Sequence, residues 1–200
     1  MDTQKIWSLD EVRAAVEKIL VESLAVDEAA VVDDASLVRD LGAESIDLLD
    51  ISFKSQQTFG VDLPARLIQD RIIEWRSLGV LANVVRDRYG LSIPSDELRT
   101  VAPSTGAAVL EHLRDKHGVA VSEGEEETLA TALAQRLLDE MDGMGLDLTD
   151  LAAERLTPHL IENLHSPTVM DEVLNRFTVR ALADYIAGRL AKASRLAPGA

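Results

Sequence analysis

The chain has 200 residues, 46% hydrophobic and 28% charged, enough for one large or two small globular domains with buried cores, so wholesale disorder is excluded. Twenty lysines and arginines against 35 aspartates and glutamates give a formal net charge of −15, which would repel a phosphate backbone, so no nucleic acid is expected as partner. Cysteine is absent, which removes disulfides, thiolate metal sites and a cysteine nucleophile together. With no apolar run approaching the roughly 18 residues of a membrane helix and no signal-like N-terminus, a cytoplasmic location without a membrane span is expected.

Aromatics make up only 4% of the chain, and the aliphatic residues recur at helical spacing, which predicts an all-α protein. From Leu9 to Leu24, Val12, Val16, Ile19, Leu20 and Leu24 fall three to four apart behind Ser8, Asp10 and Glu11, a cap and its first-turn acids. The period lapses from Val26 to Gly42, where Asp33, Asp34 and Ser36 are turn formers and Val31, Leu37, Val38 and Leu41 are apolar pins. A second helix is expected from at or beside Ser45 to Phe59, ended by Gly60, with Pro64 following.

Residues 1–64 carry 14 acids and 5 bases, net −9, whereas 65–95 carry 5 arginines and 3 acids, net +2, so a different surface begins at Ala65. There Ile68, Ile72, Trp75, Leu78 and Val85 share a helical face that Gly79 breaks or bends. Ser104 or Thr105 caps a helix ending at Gly118; Ser122 to Thr128 is read as a charged linker into a helix over Leu129–Met141. Thr157-Pro158 is read as opening a short helix, Ser166-Pro167 as restarting the chain, and Thr178 as starting a last helix to about Lys192, with residues 194–200 a frayed tail. Phe59-Gly-Val-Asp-Leu-Pro64 and Tyr89-Gly-Leu-Ser-Ile-Pro94 share a pattern, which leaves open whether 75–94 belongs to a degenerate second copy. Fourteen residues before Tyr89 stands Trp75, where the first copy has Ser45.

Asp40-Leu-Gly-Ala-Glu-Ser-Ile-Asp47 is the most informative stretch. A serine just before an apolar-periodic run is ordinarily an N-cap. The segment Leu41-Gly-Ala-Glu-Ser-Ile46, however, resembles the leucine-glycine-alanine-aspartate-serine-leucine signature that starts the second helix of acyl carrier proteins. The loop from Leu24 to Asp40, the Phe59–Pro64 segment and Phe177–Ile186 are similar to the same family's first loop, second-helix end and closing helix.

The resemblance implies a four-helix acyl-carrier-like bundle from residues 1–64 and 168–193, interrupted by an all-helical insertion at 65–167. Closing so long a loop costs little, roughly 0.6 kcal/mol per doubling, provided the insertion folds. It further implies that Ser45 carries 4′-phosphopantetheine, derived from coenzyme A, whose thiol holds an acyl chain. A phosphopantetheinyl transferase would load it, and acyl-transferring, elongating or modifying enzymes would dock their basic patches on Glu44, Ile46, Asp47 and Asp50. The acids also suit plain helix capping. Leu49, Phe53, Val179 and Ile186 would form the core or shelter the acyl chain. Lys54-Ser-Gln-Gln-Thr58 stands where the family has glutamates, which points to dedicated partners, with the insertion covering the carrier face or adding a docking surface.

The function expected is thus a carrier, not an enzyme, in fatty-acid, polyketide or specialised lipid biosynthesis. An aminoacyl or peptidyl carrier and a non-carrier helical interaction module are the alternatives. No metal site is expected: the histidines at 112, 117, 159 and 165 lack ligand spacing, the i, i+5 pair falling on different helix faces. Asp139, Asp142, Asp147 and Asp150 do not follow the EF-hand order.

Overall fold

The computed structural model describes residues 5–197 except 77, 102–104, 143 and 145, with the backbone alone for 65–69 and 71. Its described residues form α-helices joined by loops, with two isolated β-bridges and no strand, so the all-α expectation holds. The helices are α1 Leu9–Leu24, α2 Ser45–Phe59, α3 Ala65–Arg76, α4 Gly79–Tyr89, α5 Ser95–Val101, α6 Gly106–His117, α7 Glu125–Met141, α8 Ala153–Glu162, α9 Pro167–Leu174 and α10 Val179–Lys192. None is long and apolar enough to cross a membrane, among the described residues.

By its contacts the chain divides into two compact units. The first comprises residues 1–69, 143–147 and 174–200, the second 70–142 and 148–173.

In the first unit α1 packs against α2 and α10. Ser8 caps α1 as expected, its hydroxyl accepting from the Glu11 N–H while the Glu11 carboxylate accepts from the Ser8 N–H. Val12, Val16, Ile19 and Leu20 of α1 meet Leu48, Ile51 and Phe59 of α2 and Val179, Leu182, Ile186 and Leu190 of α10 in the buried core. Thr178 caps α10 by accepting from the Ala181 N–H. Part of the tail expected to fray is pinned instead: the Trp7 N–H donates to the Arg195 carbonyl at 2.8 Å and the Ala197 N–H to the Trp7 carbonyl at 2.7 Å, while residues 198–200 lie outside the described residues. These backbone bonds, with the buried Trp7 ring against Phe59, give residues 195–197 partners that no local pattern announces.

In the second unit α7 is the central helix, packed against α4, α6 and α8. Three expectations change here. Helix α7 starts at Glu125, because Glu125, Glu126 and Glu127 lie in its first turn where acids complement the helix dipole, so the charged run is partly helix. Helix α8 starts at Ala153 and keeps Pro158 inside it, so Thr157-Pro158 does not open it. The short α5 and α9 were not anticipated, although Pro167 does take the first position of α9. The break before Gly79 is present: Leu78 adopts φ 63°, and a Cβ on Gly79 would stand 2.6 Å from the Glu74 side chain.

Candidate functional site

The loop before α2 is held down so that its end is presented. Leu37, Leu41 and Ala43 are buried, and Gly42 sits between the latter two at φ 70°, a left-handed conformation that a glycine adopts without strain. The Ala43 N–H donates to the Leu37 carbonyl at 2.7 Å, and the Asp40 and Leu41 N–H groups both reach the Ser36 carbonyl. Ser36, itself fully buried, accepts on its hydroxyl from the Arg39 N–H. Its own N–H donates to the Asp40 carboxylate at 2.9 Å, and Arg39 forks onto the same carboxylate. The Arg39 guanidinium and then the Ser36 N–H lower the Asp40 carboxyl to about 2, so this knot is ionised at any working pH. The start of α10 fastens the loop from its other side. The Leu37 N–H bonds the Phe177 carbonyl, the Val179 N–H bonds Ala35, the Arg180 N–H bonds Asp33, and Arg180 pairs with Asp34 at 2.9 Å.

From this anchored loop the chain surfaces at Glu44, Ser45 and Ile46, all exposed. Ser45 is the first helical residue of α2, and the cap position belongs to Glu44. The Glu44 N–H donates to the Asp47 carboxylate at 2.8 Å, so Asp47 has a capping role. Asp50 is paired with Lys54 at 2.8 Å, an ammonium that also donates to the Ser23 hydroxyl, and Lys54 holds the Asp50 carboxyl below its ordinary range. An exposed hydroxyl at a helix N-terminus, where backbone N–H groups and the dipole favour negative charge, suits a serine bearing a phosphodiester.

Around this point α2 shows two different faces. Leu48, Ile51, Ser55 and Phe59, three to four apart, point into the core. Ile46 and Phe53 are seven positions apart and share the opposite azimuth, 67% and 61% exposed, with half-buried Leu49 between them. Phe53 is therefore corrected from a core residue to a surface one: two positions beyond Ile51 on a helix is more than half a turn away from the core stripe. Val179 and Ile186 are buried on α10.

Comparison with known proteins matches residues 14–85 to the family described as "Phosphopantetheine attachment site". Curated proteins named "Acyl carrier protein" from Bradyrhizobium sp. (strain ORS 278), Bradyrhizobium sp. (strain BTAi1 / ATCC BAA-1182) and Nitrobacter hamburgensis are each 39% identical over 56 residues, 28% of this chain and 71% of the relative. The chain belongs to the acyl carrier protein family. Its members are carriers, not enzymes, and the matched region is the one that bears covalent 4′-phosphopantetheine. The family implies interaction with a phosphopantetheinyl transferase and with acyl-handling enzymes. No solved structure matches the chain.

The match and the fold part company within α3. Residues 70–85 fall in the second unit, while α1 packs on α10. The two stretches are nevertheless alike: Leu78-Gly-Val-Leu-Ala-Asn-Val-Val85 and Val179-Arg-Ala-Leu-Ala-Asp-Tyr-Ile186 align residue for residue, each with Leu-Ala in the middle. The backbone bonds from residues 33–37 to 177–180 bring the later stretch to the loop that precedes Ser45.

The second unit holds a group that the i, i+5 spacing does not reveal. His112 and His117 do not point apart: both Nε2 atoms reach the Glu97 Oε1, at 3.0 and 2.7 Å. Five residues on a helix separate two Cβ directions by about 140°. The two side chains nonetheless reach the one carboxylate, which α5 supplies. Helix α5, at seven residues, is too short for periodicity to reveal, so no local pattern marks Glu97 as their common partner.

Proposed function

We propose that Ser45 is the attachment residue and that the chain carries acyl intermediates as thioesters for a dedicated set of biosynthetic enzymes, in fatty-acid, polyketide or specialised lipid metabolism in the cytoplasm. The observation that carries this reading is the position of Ser45. It is the exposed first residue of α2, inside the matched segment, at the end of a loop pinned by Leu37, Leu41 and Ala43. When bound, the pantetheine arm supplies the thiol that this cysteine-free chain lacks.

The chain's own residues then do three things. Gly42 and the Ser36–Arg39–Asp40 knot keep the loop from folding over the serine. The N-terminal end of α2 favours the phosphodiester charge, while Glu44 and Asp47 keep the neighbouring surface acidic for a basic partner. Ile46 and Phe53, with Leu49 between, offer an apolar strip beside that acidic patch, an arrangement of hydrophobic anchor and charged rim suited to docking. Asp50 contributes less than its charge suggests, since Lys54 neutralises it. Val179, Ile186 and Leu49 remain the residues proposed to shelter an acyl chain.

The test is intact-mass measurement after incubation with coenzyme A and a broad-specificity phosphopantetheinyl transferase. A single pantetheinyl gain that disappears in Ser45→Ala supports the reading. No gain, or a gain that survives the substitution, overturns it.

A further inference from the structure

Outside the carrier site, the residues converging on Glu97 form a built cluster that the carrier function does not use. Glu97 lies on α5, and His112, Lys116 and His117 lie along the last turns of α6, which packs against α5. The Glu97 Oε1 receives His112 Nε2 at 3.0 Å, His117 Nε2 at 2.7 Å and Lys116 Nζ at 3.0 Å. A carboxylate oxygen offers two lone-pair directions, so three N–H donors crowd one acceptor. The two imidazoles and the carboxylate are shielded, with side chains 21%, 24% and 20% exposed, whereas Lys116 is 55% exposed and free to swing into solvent.

We propose that Glu97, His112 and His117 form a binding site for a divalent transition-metal ion of the zinc type. The ligand atoms, one from each residue, all lie within 4.8 Å of one another. Two imidazole nitrogens and a carboxylate oxygen are a donor set zinc accepts, at about 2.0–2.2 Å from the ion, which places tetrahedral ligands about 3.4 Å apart. Opening the present 2.7 and 3.0 Å contacts to that spacing takes movements of about half an ångström, within reach of side-chain rotation. On binding, the Nε2 protons leave, relocating to Nδ1 or to solvent; the Nε2 lone pairs turn to the ion; and Lys116 releases Glu97. Water fills the fourth position. The bound ion would clip α5 to the C-terminal end of α6, stabilising the second unit by mass action.

The experiment uses the full chain with Zn2+ alone in calorimetric titration and Co2+ alone as a spectroscopic probe. Expected are one ion per chain, tetrahedral Co2+ visible bands, and affinity reduced roughly tenfold or more in Glu97→Gln, His112→Ala and His117→Ala. Lys116→Ala should tighten binding, because it removes the ammonium that competes for the carboxylate; a purely structural clasp would not predict this. Ring-nitrogen resonances of the unmutated chain provide a reading independent of variant folding: Zn2+ should shift Nε2 of His112 and His117 and leave His159 and His165 in place. Zinc affinity unchanged in both histidine variants, absence of tetrahedral bands, or shifts centred on other histidines would overturn the proposal.

Discussion

Truncating Phe59 to alanine should cost the first unit about 3–5 kcal/mol, the usual range for a fully buried phenylalanine, because the lost transfer energy is joined by the cavity left behind. The structure places Phe59 in that class. It is the last residue of α2 and fully buried, and its ring centroid lies 4.7 Å from that of Trp7 at an interplanar angle of 56°. Tilted aromatic pairs of this kind contribute about 0.5–1.5 kcal/mol beyond burial, within that total. Trp7 in turn holds the backbone of Arg195 and Ala197, and the Lys5 ammonium stands 3.6 Å over its ring. The loss therefore spreads to the pairing of the two chain ends. A domain of this size has about 5–15 kcal/mol in total, so the loss is a large fraction of it and strongly lowers the denaturation midpoint. Trp75 belongs to the second unit, so urea unfolding in a Trp75→Phe background isolates the Trp7 emission. Phe59→Leu should cost less than half as much as Phe59→Ala in the same assay. A loss below about 1 kcal/mol for Phe59→Ala, with Trp7 emission unchanged, would refute this placement of the ring.

Three further outcomes follow from single features. Ser55 is fully buried on α2 and its hydroxyl has no hydrogen-bond partner among the described residues, so Ser55→Ala should raise stability by about 1 kcal/mol in chemical denaturation, reversing the usual sign of a core substitution. Gly42→Ala should cost about 1–2 kcal/mol from backbone strain alone, since a Cβ there meets nothing within 4 Å; Gly42→Asn, which tolerates φ 70° better, should cost less in the same thermal melts. The folded-state pKa of Asp40 lies below its ordinary 3.8, so its stabilising contribution is complete above that value and is lost as pH falls toward about 2. Acid titration of the fold should therefore show a component in this window that Asp40→Asn removes.

Local signals reached far into this structure where the governing physics is local. The Ser8 cap, the start of the last helix at Thr178, the Gly60 terminus and the start of α2 beside Ser45 each follow from a side chain and the turn next to it, and each stands where the sequence places it. The Leu41–Ile46 segment was legible as a family signature for the same reason, its information being contiguous. What stayed hidden depends on residues far apart in the chain. The clamp of Trp7 on Arg195 and Ala197 is made by backbone atoms that carry no sequence mark. Phe53 was misplaced because apolar character alone does not say which of two apolar stripes faces the core, and α2 has both. The convergence of His112 and His117 was missed because their common partner lies 15 and 20 residues away, on a helix too short for periodicity to reveal.

The central claim, that Ser45 and no other hydroxyl receives the pantetheine arm, has a direct test in the tryptic peptide running from Asp40 to Lys54. That peptide contains two serines, Ser45 and Ser52, and Ser52 is half-buried with its hydroxyl donating to the Leu63 carbonyl at 3.3 Å. After loading from coenzyme A, fragment-ion mass spectrometry of this peptide should place the entire added mass on Ser45. Modification at Ser52, or in any other peptide of the chain, would contradict the account.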